Sequence, residues 1–274
     1  MEIQRAIVFP GQGTVGGEVS GEVREAVRHQ VGDDVPYQLS VFARSVDLLY
    51  ALRERGIEPD VVAGHSLGEY AAAHATGSLS LEDGVRLVAE RDRLMNESSE
   101  QNPGGMTAVI GADPREVVAA VEDFPEEDGV VVAANFNTPR QTVISGEKSA
   151  LEKVGELIKG RKVGLEVAGA FHSPLMLEAS LAMEYLLEGT EFEEPEIPMV
   201  SAVDGAVLAT ADDVRLALRN QMLSPVRWVE VIARFEDLGV EEVVEAGEGG
   251  TLVRMLRDFR SVDMKGRGAP ELLA

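Results

Sequence analysis

The stretch Gly64-His65-Ser66-Leu67-Gly68-Glu69-Tyr70 fits G-x-S-x-G, with an apolar run ending at Ala63 before it and the small-residue stretch AAAHATG after it. Between a strand and a helix, a serine so placed projects its hydroxyl from the sheet edge. The backbone N–H of Leu67, at the helix start, points toward the oxygen of a bound carbonyl. Ser66 is therefore read as a nucleophile, against the plainer reading of an N-cap. A serine needs a base at neutral pH, and the histidines are at 29, 65, 74 and 172. His65 adjoins the serine and is expected to point to the other side of the turn. His74 is eight residues further on, roughly 12 Å along a helix, and His29 lies in a polar, exposed segment. His172, in GAFHSPLM, is left as the leading base by elimination. The Gly11-Gln12-Gly13 turn offers a second oxyanion donor at the carboxyl ends of the strands, or equally a turn without chemical duty.

A charge stands out of place in the segment from Ser80 to Glu97. Leu87, Val88, Leu94 and Met95 form an apolar stripe of helical spacing, and Arg91 falls inside it. Arg86, Glu90, Arg93 and Glu97 fall on the polar face, where Arg86–Glu90 and Arg93–Glu97 can pair four apart. A guanidinium turned inward needs an anion or several acceptors. It either makes an internal salt bridge or grips a substrate carboxylate with a bidentate pair.

The elements that must position these residues read as an α/β protein with a mainly parallel sheet, since β-branched runs alternate with stretches of helical period. Strands are expected at Ile3–Phe9, Val61–Ala63 and Glu242–Glu245. Helices are expected at Pro36–Arg55, Ser66–Ala75, Ser80–Glu97, Pro174–Glu188, Asp212–Met222 and Trp228–Leu238. Between them, Met106–Gly111, Asp113–Glu122, Val130–Ala134, Gln141–Ser145, Glu147–Lys159 and Lys162–Val167 give the order β-α-β-β-α-β, a ferredoxin-like unit. The expected organisation is a large α/β catalytic domain, with a nucleophile elbow like that of the α/β-hydrolases, over 1–102 and 169–274. A small ferredoxin-like domain over 103–168 is inserted into it. The tail from Met264 onward is expected to be loosely ordered.

Composition bounds the function. The 274 residues are 45% hydrophobic and 27% charged, as in a globular protein. No apolar run reaches the roughly 18 residues a membrane span needs. The N-terminal MEIQRAIVFPGQG lacks a basic leader and a cleavage site, so the expected location is cytoplasmic. The absence of cysteine excludes disulfides, thiolate metal sites and a cysteine nucleophile, and four histidines argue against a zinc cluster. A formal charge of −23 argues against nucleic acid or an anionic membrane as partner.

Taken together, FPGQG (9–13), Gln38, GHSLGEY (64–70), RDRLM (91–95), NFNTPRQTVISG (135–146), GAFHSPLM (169–176) and NQMLSPVRW (220–228) resemble, in order, the motifs of malonyl-CoA:acyl-carrier-protein transacylases and the related acyltransferase domains of fatty acid and polyketide synthases. The resemblance implies that Ser66 attacks the malonyl thioester with His172 as base, and that the N–H groups of Gln12 and Leu67 hold the oxyanion. It implies further that Arg91 binds the malonyl carboxylate and that a backbone carbonyl near Gln221 orients His172. Gln38, Asn137 and Gln141 match supporting positions of the cleft. No resident cofactor is implied: malonyl-CoA is the donor and the phosphopantetheine thiol of an acyl carrier protein the acceptor.

The chain departs from the family pattern in three places. It has about 25 residues between GQG and Gln38 where the family has several tens more, Gly247-Glu248-Gly249-Gly250 stands in place of Gly-Pro-Gly-Lys, and Ser201-Ala202-Val203 in place of an Asn-Val often found after the preceding strand. A carrier is expected to dock transiently on a monomer through Arg254, Arg257 and Arg260, read as spaced by three on the last helix, or through Lys159, Arg161 and Lys162. A solvated helix face is the plainer reading of either cluster. Rival activities are an acyl hydrolase or editing thioesterase of the same fold, and the malonyl transferase of a malonate decarboxylase system.

Overall fold

The computed structural model describes residues 3–14, 16–260 and 262–274. In chain order its elements are β1 (Arg5–Phe9), α1 (Gly21–Val31), α2 (Tyr37–Glu54), β2 (Val61–Gly64), α3 (Gly68–Ala75), α4 (Leu81–Gln101), β3 (Gly105–Ile110), α5 (Pro114–Glu122), β4 (Val131–Thr138), β5 (Gln141–Gly146), α6 (Lys148–Leu157) and β6 (Arg161–Gly164). They continue with α7 (Leu177–Glu188), β7 (Met199–Val200), β8 (Val207–Leu208), α8 (Ala211–Asn220), α9 (Trp228–Asp237), β9 (Glu242–Glu245), α10 (Thr251–Met255), β10 (Lys265–Gly268) and α11 (Ala269–Leu273). The large sheet has the order β10-β9-β1-β2-β7-β8, parallel throughout except at the β7–β8 edge.

The central strands are apolar along their length because both faces are covered. Ile7, Phe9 and Val62 face the core formed with α2, α3 and α4, while Ala6, Val8, Val61 and Ala63 face the one formed with α9. Helix α4 starts where the sequence places it: Ser80 caps it, its hydroxyl accepting from the Asp83 N–H at 3.1 Å.

Strands β3 to β6 form a second, wholly antiparallel sheet in the order β4-β5-β3-β6. One face packs on α5 and α6 through Val109, Val117, Ile144 and Val154. The other presents Met106, Ala108 and Val143 to the main core.

Two expectations are corrected. The tail from Met264 is ordered: β10 pairs parallel with β9, and Arg55 of the α2 C-cap donates to the carbonyl of Leu273 at 2.7 Å. Lys-Gly-Arg-Gly carries no strand signal because it has no apolar alternation; backbone pairing with β9 and an ion pair from Arg267 to Glu242 at 2.8 Å hold it. The arginines at 254, 257 and 260 are not on the last helix. They lie on short α10, a 3-10 turn at Leu256–Asp258 and the residues after it, ahead of α11. His29 is exposed, as expected, and the polar segment that carries it is the helix α1.

Candidate active site

Ser66 sits between β2 and α3, and glycine is needed on both sides of it. A Cβ on Gly68 would lie 2.0 Å from the carbonyl oxygen of Phe9, and one on Gly64 would lie 2.0 Å from the backbone of Gly68. This close passage of β1, β2 and α3 forces Ser66 itself to φ 53°, a left-handed conformation costing about 1–3 kcal/mol in a non-glycine residue. Helix α3 begins at Gly68 rather than at the serine, with Leu67 as its N-cap residue.

His172 is the other described non-glycine residue at positive φ, 58°. Its turn is pinned by buried Ser173, whose hydroxyl donates to the carbonyl of Ala170 at 2.6 Å and accepts from the Leu175 N–H at 3.2 Å. The two strained turns meet: Ser66 Oγ lies 2.9 Å from His172 Nε2. On the far side of the ring, Nδ1 lies 2.9 Å from the carbonyl of Gln221 and 3.0 Å from that of Ser224. Those acceptors place the proton on Nδ1 and leave Nε2 free to take the serine proton. Burial, then the charge of Arg91, holds the His172 pKa down at about 4, against the opposing pull of the Gln221 carbonyl. The ring is therefore neutral at physiological pH.

Arg91, on α4, is fully buried. Its Nη2 donates to Ser66 Oγ at 3.1 Å and to Gln221 Oε1 at 3.2 Å, and its Nη1 donates to Gln38 Oε1. Among the described residues it has no carboxylate partner, so the internal salt bridge is not made. On the same helix, Arg86 pairs with Asp83 at 2.7 Å and not with Glu90.

The nucleophile faces a cavity of about 140 Å³ lined by Gln12, His65, Ser66, Asn137, His172 and Leu252 among others. His65 does not turn away from this space. Its Nε2 lies 2.9 Å from Asn137 Oδ1, and its ring packs against Trp228. Asn137 reaches it because the β4–β5 ladder shifts register between Phe136 and Thr138. The Asn137 amide then donates to Gln141 Oε1 at 2.8 Å, so a polar chain crosses from the large sheet to the small one. Gln12 and Leu67 flank the serine, one on the cavity wall and the other opening α3.

Two site features carry no signal in the sequence: the Gln221 side chain, and buried Glu69, whose pKa is pushed up to about 8 by burial. The pairing of each with a distant residue, Arg91 and Ala202 respectively, exists only in three dimensions.

A parallel α/β sheet with an inserted antiparallel unit, and a serine, a histidine and an unpaired buried arginine converging on one cavity, define a serine-centred acyl-transfer scaffold. The family model described as acyl transferase domain matches residues 8–265. The chain is 36% identical to the malonyl CoA-acyl carrier protein transacylase of Bacillus subtilis, over 80% of this chain and 71% of that one. It superposes on the MCAT structure of Streptococcus pneumoniae with a TM-score of 0.90 at 29% identity, covering 98% and 99% of the two chains. It is also similar to a malonyl-transacylase solved in complex with its type II PKS acyl-carrier protein, at TM-score 0.88 and 29% identity over 97% and 95%. The chain belongs to the acyl transferase family, among the malonyl CoA-acyl carrier protein transacylases.

Proposed function

We propose that the chain transfers a malonyl group from coenzyme A to the phosphopantetheine thiol of an acyl carrier protein, for fatty acid or polyketide synthesis. The observation that carries this reading is the fully buried, carboxylate-free Arg91 in hydrogen-bond contact with the Ser66 hydroxyl. A hydrolase of neutral acyl chains gains nothing from a buried cation.

Ser66 Oγ attacks the thioester carbonyl while His172 Nε2 takes its proton. The N–H groups of Gln12 and Leu67 receive the oxyanion, and coenzyme A leaves as the thiol protonated by His172. Arg91 holds the free malonyl carboxylate, steadied by Gln38 and Gln221. Asn137 and Gln141 line the approach. The carrier thiol then gives its proton to His172 and attacks the malonyl-serine ester; the ester C–O bond breaks, Ser66 Oγ leaves and takes that proton back from His172, so kinetics are ping-pong.

Residues 1–102 and 169–274 act as the catalytic domain of a cytoplasmic monomer, and 103–168 as an inserted cover. Arg254, Arg257 and Arg260 are all exposed and offer the docking surface for an acidic carrier. No helix of the described residues is long and apolar enough to cross a membrane.

Intact-mass analysis after incubation with malonyl-CoA should show a malonyl adduct on the wild type and none on Ser66→Ala. Added pantetheinylated carrier should remove the adduct and gain its mass. Release only as free acid would sink the transfer reading. Reversing Arg254, Arg257 and Arg260 to Glu should raise the KM for the carrier and leave adduct formation from malonyl-CoA unchanged.

A further inference from the structure

Arg91 has acidic neighbours, yet none of them neutralises it. Asp92, next in sequence, spends both oxygens elsewhere: Oδ1 accepts the Gln38 backbone N–H at 2.9 Å and Oδ2 accepts the Asn96 amide at 2.8 Å. Glu69, on α3, accepts the Ala202 N–H at 3.0 Å. Burial raises its pKa to about 8, against the opposing pull of the Ala202 N–H and of the Arg91 charge, so near neutral pH it is mostly protonated. Tyr70, whose ring lies 6.0 Å from the guanidinium, is held up at about 12 by burial and is neutral. The groups that do touch the guanidinium are two amide oxygens, of Gln38 and Gln221, and a hydroxyl. Arg91 Nε and Gln221 Nε2 are left buried without a partner among the described residues. A guanidinium is ordinarily fixed in place by carboxylates; here amides of nearly the same shape do it.

We propose that Gln38 and Gln221 are specificity-determining positioning residues whose neutrality is the property that matters. They orient the buried Arg91 without neutralising it, so that its charge remains available to a substrate carboxylate. Gln221 acts on both partners, since its side chain holds Arg91 and its carbonyl holds His172 Nδ1. The charged or titratable groups facing His172 are Arg91 and His65. Burial keeps His65 below its ordinary value, so it too is neutral near physiological pH. Burial is the first cause of the low His172 pKa and the Arg91 charge adds to it, so a carboxylate set against Arg91 would remove the share that the charge contributes.

This inference rests on the malonyl-transfer reading for its substrate but not for its charge logic, and the two are separable by experiment. The isosteric variants Gln221→Glu and Gln38→Glu should each raise the KM for malonyl-CoA by about tenfold or more, by diverting the guanidinium to an internal carboxylate. The acidic limb of Ser66 labelling by a neutral fluorophosphonate should move up by about one pH unit, as a new anion near the base favours its charged form. Gln221→Met, neutral but without the acceptor, should leave that limb in place. Either glutamate variant with an unmoved limb and a malonyl-CoA KM within twofold of wild type overturns the proposal. So does an equal loss in all three variants with no shift of the limb, the signature of a merely structural role. If the wild type labels with fluorophosphonate but never with malonyl-CoA, the function reading fails while the limb shift still decides the charge proposal.

Discussion

Arg91 and Arg93 stand two residues apart on α4, about 200° around the helix, and their surroundings are opposite. Arg93 has a half-exposed side chain bound to Glu90 and Glu97, each at 2.7 Å. Arg91 is fully buried and, among the described residues, touches only neutral acceptors. The better-paired arginine is the one that matters less: an exposed pair exchanges water for a carboxylate at little net gain. A buried cation left unpaired carries a standing cost that packing elsewhere must offset, and the fold retains it where a ligand can complete it. The number of ion pairs an arginine makes is therefore a poor guide to its role, whereas the mismatch between burial and pairing is a good one.

Retention of malonyl transfer by Arg91→Ala would remove the difference between the two arginines. The expected outcome is a loss in kcat/KM for malonyl-CoA of about a hundredfold or more, with acetyl-CoA affected far less, measured by adduct formation on Ser66. Acid titration is the next test. With His172 held at about 4, Ser66 acylation should persist well below the ordinary histidine value of 6.5 and fall only near pH 4. The same shift makes the stability contributed by neutral His172 fully present above 6.5 and lost as pH falls through about 4, because the unfolded chain takes up the proton first.

Glu69 works in the other direction. Its pKa is raised, so its contribution is fully present below 4.5 and lost as pH rises through about 8. Thermal melts of Glu69→Gln should therefore gain on the wild type as pH rises across that window. The smallest effect is expected at the exposed arginine. Arg93→Ala should cost about 0.5 kcal/mol or less in denaturant unfolding and leave transfer kinetics unchanged, and a larger loss in either would give Arg93 a role beyond a solvated pair.

Much of the fold was legible because its signals are local. The apolar runs at 5–9 and 61–64, the Ser80 cap and the β-α-β-β-α-β order are all properties of neighbouring residues. Elements missed by that reading lack such signals: β7 and β8 are two residues long, and β10 is a Lys-Gly-Arg-Gly stretch held by β9. Among site residues, Ser66 was visible from the glycines that its crowded turn demands, and Arg91 from its place in an apolar stripe. His172 was reached only by excluding three other histidines, and the opposite turn of His65 was mistaken because period and adjacency do not say which wall of a cavity a side chain lines.

By itself the sequence determined which residues have the chemistry: one serine in a glycine-boxed turn, four candidate bases, and one cation on an apolar face. Periodicity and backbone sterics act within a few residues, so they could go that far. Tertiary structure alone decided that Ser66 and His172 meet at 2.9 Å across 106 positions, and that Gln221 serves base and cation together. It also decided that nearby acids are neutral or turned away from Arg91. These are matters of distance and burial among residues far apart in the chain, and electrostatics depends on both.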